Sequence, residues 1–365
     1  MIISLRNFDW LMFLVVCLFL VISFFFVWSA SSEAYAFKQL IWIGVGVGVF
    51  SGLLAFDYFS VGKISYIFYF ITLLCLFLVL LFGKTVYGAQ RWLMAGPISI
   101  QPSEIMKIVL VLTLSRCFMD KRSISGLSGV AFPLALTLLP IALIIKQPDL
   151  GTGLILLPIF FAIMFVAGTR IKYIFTTMAF GLASIPLFWF FMLKSYQKSR
   201  VISFLWPDTV SSWGEGYHRM QSLIAVGSGG NFGSGWGNGI QSQLNFLPQG
   251  HTDFIFSVIA EEWGFYRSCA ILCLYVVFLA CSIGIAANTR DAYGRLIVAG
   301  FTAMFASQIL INVAMTIGLA PITGLTLPFI SYGGSSLISS FIALSFMFNV
   351  RMRSRIALAN EEFYE

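Results

Sequence analysis

The stretch Leu247-Pro248-Gln249-Gly250-His251-Thr252-Asp253-Phe254-Ile255-Phe256 sets a single carboxylate, Asp253, at the mouth of a long apolar run. That run continues to about residue 285, too long for one ordinary membrane crossing of roughly 20 residues. A short outer helix ending near Gly264, followed by the true crossing, accounts for the length. Asp253 then sits on a partly buried ledge, where desolvation raises its pKa and a helix N-terminus lowers it. A carboxylate so placed can serve as a general base. The plainer reading is an N-cap, since Thr252 and Asp253 are both capping residue types. His251 and His218 are the only histidines, and their spacing specifies no metal site.

Other polar groups cluster in the same kind of place. In Gln101-Pro102-Ser103-Glu104-Ile105-Met106-Lys107, Pro102 suits a first helical turn. Glu104 and Lys107, three apart, meet on one helix face as either a structural clamp or the lining of a polar cavity. The tight turn Lys146-Gln147-Pro148-Asp149-Leu150-Gly151 is explained by its Pro and Gly; its Lys and Asp pair with each other or face a ligand. The segment 226–239 is dense in glycine but lacks both the P-loop and the GxGxxG pattern, so no nucleotide or nucleic acid is expected. Such glycines serve a compact loop or present backbone N–H groups. Small residues in Pro328-Phe329-Ile330-Ser331-Tyr332-Gly333-Gly334-Ser335-Ser336 allow close helix packing or a backbone site for a ligand.

What holds these groups must be a membrane scaffold. The chain has 365 residues, 59% hydrophobic and only 10% charged, against about 25% in an average globular protein. A soluble fold, a disordered chain, a coiled coil and a disulfide scaffold are all excluded. Continuous apolar runs rather than alternating ones exclude an outer-membrane barrel. The expected fold is an all-α integral membrane protein of about ten transmembrane helices. They fall near 9–29, 39–56, 64–82, 102–118, 130–146, 151–167, 173–193, 265–285, 296–317 and 332–350. A large extracytoplasmic loop, about 194–264, separates helices 7 and 8. The whole reads as one domain, 1–350, with a basic-then-acidic tail, 351–365. The Trp10–Trp28 run is too long for a signal peptide's apolar region and reads as a retained helix. Twelve of the 22 lysines and arginines fall in inner segments, which places both termini in the cytoplasm. Lys38, Lys84, Arg91, Lys146, Lys194, Lys198, Arg200 and Arg219 oppose that bias. They suit an anionic ligand, or reflect long loops that escape the rule. The six cysteines suggest neither disulfides nor zinc.

Four stretches together resemble the SEDS family (shape, elongation, division and sporulation) of bacterial membrane proteins. They are Gly88-Ala89-Gln90-Arg91-Trp92-Leu93 with Gln101 to Lys107; Gln147 to Gly151; the loop from Gly216 through Gly229-Gly230 to His251-Thr252-Asp253-Phe254-Ile255-Phe256; and Pro328 to Ser336. The compact length is more similar to the elongation branch than to the division paralogue. The resemblance implies a peptidoglycan glycosyltransferase that joins lipid II, a disaccharide-pentapeptide on undecaprenyl pyrophosphate, into β-1,4-linked glycan at the outer face of the cytoplasmic membrane. It matches Asp253 to the family's essential acidic position, as base or ion ligand. The expected substrate contacts are Arg91, Glu104, Lys107, Asp149, Arg200, Arg219, His251, Thr252, Ser331 and Ser335. Arg200 is favoured among the cations for the leaving pyrophosphate, with Glu104 holding Lys107 and Asp149 lining the cavity. Gln249-Gly250 departs from the family pattern, which often has an acidic residue there. The resemblance also implies a class B penicillin-binding protein and the elongation machinery as partners. No cofactor is certain, although a divalent cation, Mg or Mn, would suit a pyrophosphate. The alternatives are a lipid II flippase and the division paralogue.

Overall fold

The computed structural model describes residues 7–86, 89–95, 98–119, 127–191, 193, 195–206, 215–244 and 246–353. Arg6, Gly88, Lys121, Arg122, Lys194, Arg355 and the acidic tail lie outside the described residues.

The order of elements is α1 (Trp10–Ala30), α2 (Glu33–Ala55), α3 (Tyr58–Lys63), α4 (Ser65–Phe82), β1 (Lys84–Val86), β2 (Ala89–Ala95), β3 (Ile98–Ile100), α5 (Pro102–Met119), α6 (Leu127–Lys146) and α7 (Leu150–Val166). Then come α8 (Ile171–Phe191), α9 (Ser195–Leu205), α10 (Glu215–Ser228), α11 (Ile240–Gln243), α12 (Ile255–Asn288), α13 (Ala292–Thr316) and α14 (Gly334–Arg353). Every expected span coincides with one of these helices. Eight are long and apolar enough to cross a membrane, namely α1, α2, α4, α6, α8, α12, α13 and α14. Helix α7 is apolar but shorter, at 17 residues. Helix α5 carries Glu104, Lys107 and Arg116 along its 18 residues.

Two segments between the expected spans are structured. After α4, Lys84–Val86, Ala89–Ala95 and Ile98–Ile100 form a three-stranded antiparallel sheet in the order β1-β2-β3. Between α8 and the kink in α12, the chain forms α9, α10, α11 and the first turns of α12. The expected break at Gly264 is present: its φ of 77° interrupts α12. The glycine-dense segment wraps this break. Ser234 N and Gly235 N each donate to α12, to the carbonyls of Glu261 and Glu262 at 3.0 Å, while Phe265 N donates back to Gly230 O at 2.9 Å. The glycines therefore serve close backbone approach between two chain segments, the compact-loop reading. The buried Glu261 carboxylate completes the dock, accepting from the N–H groups of Gln241 and Ser242 in α11.

Helices α5, α13 and α14 fill the centre, with 15 of the 18 residues of α5 buried. Lipid tails offer no less apolar a surface than leucine, so contact between such helices depends on close fit and polar bonds. At Gly300 in α13, an added Cβ would lie 2.8 Å from Val111 in α5 and 2.9 Å from Ile163 in α7. Inside α5, Lys107 Nζ lies 2.9 Å from Glu104 Oε1, and both are buried. The other Glu104 oxygen accepts from Ser339 Oγ of α14 at 2.7 Å. The pair thus ties α5 to α14 with both side chains buried, as the structural clamp requires. Helix α8 lies at the opposite extreme, with Thr177 its one buried residue.

Two stability predictions follow from this packing. Lys107→Leu leaves a buried carboxylate unpaired and costs about 3–5 kcal/mol. Glu104→Leu with Lys107→Leu recovers most of that loss in thermal unfolding of the purified protein. Gly264→Ala combines a positive φ with a clash against the backbone of Phe232 and Gly233. It lowers the melting temperature and opens the 229–239 segment to limited proteolysis.

Candidate active site

Four chain segments converge at one end of the bundle. The first is the α6–α7 turn. Asp149 N-caps α7, with Oδ1 accepting from Thr152 N at 3.4 Å. Its Oδ2 accepts from Thr152 Oγ1 at 2.9 Å, Gln101 Nε2 at 2.9 Å and Ser103 Oγ at 3.3 Å. The second segment is β2, whose Arg91 donates to Pro148 O and lies 3.8 Å from Asp149 Oδ1. Asp149's cation is therefore Arg91, while Lys146 is exposed.

The third segment is the loop 317–333. An added Cβ at Gly151 would lie 2.6 Å from Thr323 O, so only a glycine lets α7 begin against this loop. The fourth is the turn 251–254. The expected cap is absent: Phe254 holds the N-cap position of α12 and no side chain bonds there. Neither Thr252 nor Asp253 caps, so the Asp253 carboxylate is left for another role. Asn312 of α13 fixes the turn, donating through Nδ2 to Asp253 O at 2.9 Å and to Leu325 O at 2.6 Å. Ser331 Oγ adds a strap, donating to Thr252 O at 2.6 Å while accepting from Leu327 N. Tyr332 N donates to His251 O at 2.9 Å.

Asp253 is half-buried beside Gly324, where a side chain would begin 3.3 Å from its Oδ2. Burial pushes its carboxyl from 3.8 up to about 6. The Arg91 and Arg200 guanidiniums pull it down, Asp149 pushes it up, and the Thr252 hydroxyl bond holds it down. Four charged groups from β2, the α6–α7 turn, α9 and the α12 entry therefore share one electrostatic environment. Two non-glycine residues with positive φ border it: Gln249 and Phe329, at 56° and 63°. Each lies two residues from His251 or Ser331, which fits the concentration of backbone strain at functional sites.

The remaining expected contacts are distributed differently. Glu104 and Lys107 are inside the bundle, as described. Arg219 donates to Ser203 O at 3.2 Å and Gly318 O at 3.4 Å and packs on the Phe204 ring, so it joins α9, α10 and the 317–333 loop. Ser331 is buried and its hydroxyl is engaged with the backbone. Ser335 donates to Ser99 O at 3.2 Å, and Thr252 Oγ1 to Gln249 O at 3.2 Å. Burial lowers the pKa of the His251 imidazole, and its ring packs between Tyr35 and Tyr332. Among the described residues no group of three or more His, Cys, Asp or Glu is arranged for a metal ion. Asn312, Gln101, Ser103 and Gly324 were not anticipated. Asn312 had a readable signal, as a polar side chain in an apolar span, which is costly unless bonded.

The family model FTSW_RODA_SPOVE, described as "Cell cycle protein", matches residues 9–356. The peptidoglycan glycosyltransferase RodA of Treponema pallidum is 33% identical, over 95% of this chain and 98% of its own. The peptidoglycan glycosyltransferase MrdB of Escherichia coli K12 is 39% identical, over 74% of this chain and 73% of its own. Among solved structures, a chain of a peptidoglycan synthase complex that coordinates polymerization and crosslinking superposes with a TM-score of 0.84 at 32% identity. That match covers 95% of this chain and 98% of the other. With its many apolar helices and bacterial relatives, the chain is a bacterial membrane protein that belongs to the FtsW/RodA/SpoVE family, the SEDS proteins.

Proposed function

We propose that this protein is a peptidoglycan glycosyltransferase of cell elongation, which polymerises lipid II at the outer face of the cytoplasmic membrane. The observation that carries the reading is Asp253: an uncapped carboxylate raised to about 6 and set among Arg91, Arg200 and Asp149. A base with a pKa near the working pH combines a large ionised fraction with real proton affinity. Asp253 takes the proton of the acceptor GlcNAc 4-hydroxyl as that oxygen attacks C1 of the donor MurNAc. The C1–O bond to the lipid pyrophosphate breaks on the opposite face. One α linkage becomes one β-1,4 linkage, and the lipid pyrophosphate leaves. Arg91 and Arg200 offset its developing charge, guanidinium being suited to phosphate oxygens. Asp149, saturated by its own hydrogen bonds, holds Arg91 in place.

In the alternative role, as ion ligand instead of base, Asp253 would hold a divalent cation, Mg or Mn, against the pyrophosphate oxygens. Asp149 has its oxygens committed to Thr152, Gln101 and Ser103. One carboxylate with substrate phosphates is a common magnesium arrangement, and the ion would add to charge neutralisation. A class B penicillin-binding protein crosslinks the product, within the elongation machinery, and both termini lie in the cytoplasm.

Reconstitution in liposomes with fluorescent lipid II tests the reading. Asp253→Asn lowers polymer formation by at least about a hundredfold. Translocation of lipid II without polymer in the wild type would instead identify a flippase. The carboxyl pKa is higher in the folded chain than in the unfolded one, so ionisation of Asp253 destabilises the fold as pH rises through about 6. Asp253→Asn therefore melts no lower than wild type at neutral pH, which separates lost chemistry from lost folding.

The rate constant at low substrate falls on acidification with a midpoint near 6. Arg91→Gln removes a cation that lowers the Asp253 pKa. The acid limb of the pH profile then moves to higher pH, alongside a lower maximal rate.

A further inference from the structure

A cavity lies beside His251, at the start of the turn that carries Asp253. It encloses about 340 Å³ and is walled by Ser31, Ser32, Tyr35, Gln249, Gly250 and His251 among others. That volume is at the lower end of the ~300–1,000 Å³ typical of small-molecule sites. The α1–α2 connection supplies one wall and the turn before α12 the other.

Its lining has a definite character. Three rings pack together at its edge: Tyr35 to His251 at 5.0 Å, Tyr35 to Tyr332 at 5.2 Å and His251 to Tyr332 at 5.7 Å. Burial lowers the His251 pKa and so favours the uncharged imidazole. Among the described residues neither a carboxylate nor a cation lines the cavity; the Lys38 ammonium packs over the Tyr35 ring, 5.3 Å from its centroid. Ser32 occupies the N-cap position of α2, yet its hydroxyl makes no capping bond. Tyr35 and Gln249 are exposed. Gln249 holds a φ of 56°, an uncommon conformation for a residue other than glycine.

A partly exposed tyrosine ring beside neutral hydroxyl and amide groups matches one chemical class well. The C–H face of a pyranose packs on a ring, and its hydroxyl and acetamido groups bond to serine, glutamine and backbone. A pyrophosphate finds no cation among the described lining residues, and the nearby Lys38 ammonium is set over the Tyr35 ring. His251 and Asp253 are two residues apart, so their Cα atoms lie within about 7 Å. We infer that this neutral cavity binds an uncharged N-acetylhexosamine, the acceptor sugar, and that the 251–253 turn leads from it to Asp253, which the sugar's 4-hydroxyl must reach. This assignment of the cavity rests on the glycosyltransferase reading.

The test uses the full-length protein in nanodiscs with N,N′-diacetylchitobiose as probe, observed by saturation-transfer NMR. Wild type and Asp253→Asn both transfer saturation to the N-acetyl methyls. Tyr35→Ala weakens probe binding about tenfold and Tyr35→Phe retains it, because the ring face makes the contact. With lipid II, Tyr35→Ala raises KM about tenfold and changes kcat by less than about twofold. The inference is overturned if wild type does not bind the probe, if Tyr35→Ala binds it as wild type does, or if Tyr35→Ala lowers kcat at constant KM. Polymerisation by Asp253→Asn overturns the proposed chemistry instead, so the two failures are distinguishable.

Discussion

A single buried amide holds the reacting end of this bundle together. Asn312 Nδ2 donates both to Asp253 O and to Leu325 O, which anchors two irregular segments on α13. Irregular backbone at such a depth is tolerated only where its polar groups find partners within the protein. The turn before α12 and the loop after α13 therefore need each other. Leu325 lies next to Gly324, which leaves room for the Asp253 carboxylate. Thr323 O lies against Gly151, whose missing side chain lets α7 begin there. From one amide the dependence runs outward to Asp149 and then, through its carboxylate, to Arg91 on β2.

The two aspartates of this chain of contacts show how environment assigns roles. Both are carboxylates near the same guanidinium. Asp149 accepts hydrogen bonds from three side chains and one backbone N–H, so its lone pairs are taken by groups that fix it in place. Asp253 gives up its backbone carbonyl to Asn312, and its half-buried carboxylate makes fewer hydrogen bonds than that of Asp149. Saturation makes a support; incomplete saturation makes a reactive group. Glu104 and Lys107 repeat the first pattern deeper in the bundle, where an ion pair with a third hydrogen bond joins two helices.

Helices and the kink were legible in the sequence because apolar run length is set by the bilayer and Gly264 marks the excess. Asp253 was legible as a carboxylate beside an apolar run. Its freedom from capping was not, since residue type alone cannot distinguish a cap from a neighbour of one. The three strands were hidden because β1 and β3 span three residues each, too few for a period-two pattern to show. The partner of Asp149 was hidden by its distance along the chain. Lys146 is three residues away and Arg91 nearly sixty, yet the fold brings the distant cation in. Glu104 and Lys107 were legible as a pair, but nothing local reveals that α14 covers them with Ser339.

A transferase that expels a pyrophosphate faces opposing demands on its base. The leaving group needs cations close by, and those cations lower the proton affinity of any carboxylate beside them. Arg91 and Arg200 act on Asp253 in this direction. In water they would leave a weak base. Here burial outweighs them, with Asp149 adding to the upward push, and the balance settles near 6. The membrane scaffold therefore contributes more than a place to hold a lipid substrate. Its low dielectric lets one site carry both the positive charge that stabilises departure and a carboxylate still basic enough to accept a proton.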